Sequence, residues 1–85
     1  SMFDKFKQIA QLKKMQDDFK KERLTFSDKG VSVTINGAFE VEEIILNPEL
    51  SIEEQQNVLK YCLNKVREDI QKTLAKKMMS SGMSF

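Results

Sequence analysis

One stretch constrains the fold more than any other, Gly30 to Leu50, reading GVSVTINGAFEVEEIILNPEL. Its first arm alternates, with Val31, Val33 and Ile35 on one face and Ser32, Thr34 and Asn36 on the other, the period of a half-buried strand. Asn36-Gly37 then predicts a type I′ turn, because both central residues of such a turn need positive φ and these two types tolerate it best. The returning arm starts with Phe39 and Val41 inward and Glu40 and Glu42 outward; at Glu43 the phase slips, and Ile44 and Leu46 take over the apolar face. A bulge near Glu42-Glu43, or a strand end buried on both sides, accounts for the slip. Pro48 cannot donate to a ladder and biases Asn47 away from helix, which ends the strand. Ahead of this hairpin, Leu24 and Phe26 share a face and Asp28-Lys29-Gly30 offers a turn. Three antiparallel strands are therefore expected, over 24–27, 31–36 and 39–46, in a meander with two open edges.

From Met2 to Lys21 there is no Gly or Pro, and apolar residues recur at Phe3, Phe6, Ile9, Leu12, Met15 and Phe19. This predicts a helix of about 18 to 20 residues, roughly 30 Å long. The spacing is mostly three, so the stripe drifts around the helix and its two halves meet different neighbours. A helix this long can extend past its own small domain and pack on a second copy. After the hairpin, Ser51 and Glu54 form a capping box, and Glu53 adds favourable charge at the helix N-terminus. Leu59, Cys62, Leu63, Val66, Ile70, Leu74 and Met78 then follow a helical 3-4 spacing from Ile52 to about Met79. No Pro or Gly forces a break there, so one continuous helix and two shorter ones both stay open. Residues 80–85 read as a short mobile tail, and Ser1 ahead of Met2 as a scar of tag removal. The fold class is α+β, a single domain over 1–85: long N-terminal helix, three-stranded antiparallel meander, long C-terminal helix.

The chemistry available is narrow. One cysteine and no histidine exclude a disulfide framework, a Cys/His zinc site and His-dependent catalysis within the chain. Cys62 lies on the apolar stripe and reads as a small buried hydrophobe. Glu40, Glu42 and Glu43 have no histidine or aspartate cluster beside them, so a solvated sheet face or a dimer salt-bridge surface is expected rather than a metal or acid/base site. Gly30, Gly37 and Gly82 are isolated and make no phosphate loop. Neither an enzyme, a cofactor nor a small-molecule substrate is expected. No apolar run reaches the roughly 18 to 20 residues of a membrane span and no signal core is seen, so a cytoplasmic location without membrane contact is expected. With 85 residues a lone core is marginal, which favours oligomers.

The net charge of +1 conceals a segregation. Residues 2–23 carry seven Lys/Arg against four Asp/Glu (+3), residues 24–59 one against seven (−6), and residues 60–85 six against two (+4). The basic ends put Lys13, Lys14, Lys20, Lys21 and Arg23 on or after the first helix, and Lys65, Lys72, Lys76 and Lys77 along the second. Ridges of this kind suit duplex DNA, since each lysine on a phosphate releases condensed counterions and adds affinity independent of sequence. On composition alone, an ordinary solvated face with pairs such as Asp17–Lys21 is the commoner meaning of such lysines. Arg23 and Arg67 are the only arginines, and no helix-turn-helix, zinc-finger or aromatic RNA-binding motif is present, so base readout is expected to be slight. Phosphate contacts do not separate RNA from DNA. The rival is a non-enzymatic protein adaptor using an open sheet edge and the Met78, Met79 and Met83 helix end.

Val33-Thr34-Ile35-Asn36-Gly37-Ala38, then Ile44 through Asn47-Pro48-Glu49-Leu50, carry a resemblance that Leu63-Asn64-Lys65-Val66 and the Met-Ser-Ser-Gly-Met run at 79–83 extend. On these the chain resembles the YbaB/EbfC family of bacterial nucleoid-associated proteins over essentially its whole length. It departs in a shorter loop at Asp28 to Gly30, in Asn47 where the family usually has Asp, and in having no counterpart of the Gly/Pro-rich tail. The resemblance implies a tweezer-like homodimer that binds duplex DNA with little or modest sequence preference.

Overall fold

The computed structural model describes residues 2–80. The elements follow in the expected order: α1 (Met2–Lys20), β1 (Arg23–Asp28), β2 (Val31–Asn36), β3 (Val41–Ile45) and α2 (Ile52–Ser80). The strands form one antiparallel sheet in the order β1-β2-β3. β1 is longer than expected at both ends and β3 shorter, and α2 is one continuous helix that includes Ser80. Of the expected tail, 81–85 lie outside the described residues, as does Ser1.

The two turns exchange the roles read from the sequence. Asp28 pairs with Val31, and between them Lys29 (φ 49°) and Gly30 (φ 82°) both sit at positive φ, the signature of type I′. At the second turn neither Asn36 nor Gly37 has positive φ, and the left-handed residue is Phe39 (φ 62°). Asn36 exchanges backbone bonds with its neighbours instead: its N–H donates to Glu40 O (3.0 Å) and its O accepts from Phe39 N (2.9 Å). The loop is thus three residues long, a turn closed by one αL residue. Asn36 shapes it with its side chain, whose Oδ1 accepts from Ala38 N (2.8 Å) and Glu40 N (3.2 Å). The bulge is where the pattern placed it. Thr34 pairs with Glu43 and Ile35 with Val41, so Glu42 is the extra residue that slips the phase.

Val58, Cys62, Val66, Ile70 and Leu74 of α2 are buried against Val31, Val33 and Ile35 of β2. Spaced by four, they form one ridge inclined about 26° to the helix axis, and β2 runs beneath it. Phe19, Leu24, Phe26, Leu50, Leu59 and Leu63 pack around this core. Phe39 and Val41 are not inward, as expected, but 47% exposed each, and Ile44 and Leu46 are equally open at 45% and 50%. The register puts Val41 and Ile44 on the face of Ile35 and Val33, but a helix about 10 Å wide covers only about two strands spaced 4.8 Å apart. α2 packs on β1 and β2, and every residue of β3 is left exposed. At the start of α2, Ser51 Oγ accepts from Glu54 N (3.2 Å), while the Glu54 carboxylate turns to Lys29 (3.6 Å). Only half of the capping box forms.

Candidate nucleic-acid interface

α1 buries none of its residues. It is fixed at its C-terminal end only, where Phe19 meets the β2–β3 loop. A Cβ on Gly37 would fall 2.0 Å from Phe19 O, so glycine is required there for close approach rather than for a turn. Gly37 N donates to Glu22 O and Glu22 N to Phe19 O, both at 3.0 Å, and Lys77 Nζ near the end of α2 donates to Glu22 Oε1 at 2.6 Å. The last turn of α1, the tip of the hairpin and the last turns of α2 therefore converge. At the opposite end of the sheet, Asn47 Nδ2 donates to Lys29 O (2.9 Å) and Asn47 N to Gln55 Oε1 (2.7 Å), which ties the first turn to the start of α2.

This arrangement brings the two basic ends of the sequence to the same end of the molecule and leaves Glu49, Glu53 and Glu54 at the other. The long axis measures 59 Å, more than the roughly 43 Å of 29-residue α2, so α1 projects past the sheet. The radius of gyration, 16.9 Å, likewise exceeds the about 12 Å of a compact chain of this length.

The nine basic residues expected at the interface fall into three states. Lys13, Lys14, Lys72 and Lys76 are exposed, and no ion pair holds them among the described residues. Lys20–Glu40 (3.6 Å), Lys21–Asp18 (3.7 Å) and Lys65–Glu68 (3.7 Å) are long, exposed pairs, which are worth little and exchange readily. Lys65 also lies 5.8 Å from the Tyr61 ring centre. Arg23 and Lys77 are held at 2.7 Å by Glu42 and 2.6 Å by Glu22; they brace the sheet and the α1 joint. The paired glutamates also settle Glu40 and Glu42 into ion pairs within the chain. Lys7 was missed by the sequence reading. It shares a ridge with Lys14 and Lys21 at seven-residue spacing, drifting only about 20° per step. On α2, Lys65, Lys72 and Lys76 form a similar ridge, at steps of seven and four.

No His, Cys, Asp or Glu group that could hold a metal occurs among the described residues, and none of their helices is long and apolar enough to cross a membrane. Cys62 is fully buried. Burial, with the Asp28 charge nearby, pushes its thiol pKa up, the opposite of what a nucleophile needs.

A family model described as the YbaB/EbfC DNA-binding family matches residues 1–84. The chain belongs to the YbaB/EbfC DNA-binding family. That family gives it a nucleoid-associated DNA-binding role, and it is not known as an enzymatic one. Comparison with curated proteins and with solved structures returns no match.

Proposed function

We propose that this YbaB/EbfC chain grips the phosphates of duplex DNA as a homodimer, with little sequence preference, through lysine ridges on α1 and the end of α2. The observation that carries the reading is the convergence of both basic ends on one pole, where Lys13, Lys14, Lys72 and Lys76 have no carboxylate partner among the described residues. Their ammonium groups are the ones a phosphate takes over without breaking an internal pair. Lys20, Lys21 and Lys65 join by exchanging a weak carboxylate contact for a phosphate; Arg23 and Lys77 serve by holding the joint. Two such protomers, each a single domain, present paired arms of the tweezer kind. A location with the nucleoid in the cytoplasm follows from the ligand.

The test is a salt titration of duplex binding. A dimer engaging the four free lysines of each subunit gives a slope of about −7 in log K against log[salt], at about −0.9 per phosphate. Reversing charge at Lys13, Lys14, Lys72 and Lys76 weakens binding to all sequences about equally. Absence of duplex binding at low salt overturns the DNA reading; unchanged affinity in the variant removes these four positions. Competition between duplex DNA and RNA decides between polyanions. The open edge of β3 and the 81% exposed Met79 support the adaptor alternative, which a stoichiometric, salt-resistant protein partner without nucleic acid would establish.

A further inference from the structure

We infer that the apolar stripe of α1 seats on the uncovered β3 strip of a second copy, reciprocally, so that the proposed homodimer is held by exchanged N-terminal helices. This rests on the homodimer reading and names its contact surface.

Two apolar surfaces are left without cover by the described residues. On α1, Phe3, Phe6, Ile9 and Leu12 are 83%, 67%, 61% and 63% exposed, and Met2, Lys5, Phe6 and Ile9 line a shallow hollow. On the sheet, Val41, Ile44 and Leu46 continue the core face beyond the reach of α2. The two match in length: Phe3 to Leu12 spans about 14 Å of helix, and Val41 to Leu46 about 16 Å of strand. They match in charge too. On the side of Ile9 and Leu12, α1 carries Lys5 and Lys13, while 39–54 carry six glutamates and no lysine or arginine.

Among the described residues, nothing fills the seat from within. α1 is fixed at the Gly37 end and runs away from its own sheet, so its far half reaches another molecule. Helices in proteins take most of their stability from packing of an amphipathic face, and this 19-residue helix has nothing buried, so a partner supplies what its own domain does not. Phe3 and Phe6 bury on the order of 150–250 Å² each when fully covered, and the half-covered aliphatic residues less; two reciprocal contacts related by a two-fold axis then approach the roughly 1,200–2,000 Å² of a stable interface. Of the lysines named for DNA on α1, Lys14 lies on the side opposite Ile9 and Leu12 and stays clear of this contact, whereas Lys13 lies between Phe6 and Ile9 on the helix surface and faces the seat.

Disulfide trapping with full-length chains tests the seat. Phe6→Cys and Ile44→Cys are prepared as separate chains, mixed and oxidised, with the unsubstituted protein, whose Cys62 is buried, as control. The expected result is a cross-linked dimer in the mixture at several times the yield of either variant alone. Cross-linking of Phe6→Cys with itself as the dominant product means that α1 packs on α1; it overturns the seat and leaves the homodimer standing. A chain carrying both substitutions that closes on itself as a monomer overturns the exchange. Light scattering of the unsubstituted protein separates the two readings: a monomer at all concentrations overturns the homodimer and the seat together. Hydrogen exchange on the unsubstituted protein guards against misfolded variants, since protection of α1 and β3 must fall together as the dimer is diluted; β3 protection unchanged on dilution overturns the seat.

Discussion

At the residue scale, two glycines do different work. Gly30 is needed for its backbone, at φ 82°, and an added Cβ would also meet Asn47 Nδ2 at 2.8 Å, the atom that donates to Lys29 O. Gly37 is needed for its missing side chain, because the atom in the way is the backbone oxygen of Phe19. Gly30→Ala is accordingly expected to cost about 1–2 kcal/mol, the left-handed penalty for a residue with a Cβ. Gly37→Ala is expected to do something else: it forces α1 off the hairpin. Limited proteolysis should then cut near residue 21 in Gly37→Ala and not in Gly30→Ala, and equal resistance would show that the joint tolerates the extra atom. Phe39, a bulky residue held at φ 62°, is a site of local strain beside the same joint.

At the element scale, α2 and α1 are opposites despite similar composition. α2 owes its place to a ridge of five buried residues, and Ile70, fully buried, is expected to cost about 2–5 kcal/mol when changed to alanine. Leu12→Ala should leave the unfolding midpoint of dilute monomer within about 0.5 kcal/mol yet shift the midpoint of concentrated protein. Denaturation at two concentrations checks both. The elements themselves were legible because each announces its period: Val31, Val33 and Ile35 for the strand, Cys62, Val66, Ile70 and Leu74 for the helix, and the phase slip at Glu43 for the bulge. The turn types were not, since Asn36-Gly37 satisfies the local preference for type I′ while the approach of Phe19 and the reach of the Asn36 side chain decide otherwise. Nor was the exposure of Val41 and Ile44, because alternation tells which face a residue takes but not how far the covering helix extends. The gathering of basic residues at the two ends of the sequence was legible, without the place of Lys7 on the α1 ridge. Which of them are free was not, because Glu22, Glu40 and Glu42 reach them from other elements.

For the whole molecule, the proposed dimer and the DNA grip are linked. α1 carries both the apolar stripe and a lysine ridge, so arms that lose their seat lose their order as well. DNA affinity is therefore expected to fall when protein is diluted below its dimer dissociation constant, more steeply than simple mass action on a preformed dimer allows; a binding curve of unit slope across that range would uncouple the two. The joint at Gly37 adds a mechanical consequence. Until a second copy seats its far half, an arm about 28 Å long is anchored at one end only, a lever whose closest contact at the fulcrum is between Gly37 and the Phe19 carbonyl oxygen. A tilt of about 10° there moves the far tip by about 5 Å, close to the distance separating one phosphate from the next along a strand. Aim, and not only charge, is set by Gly37.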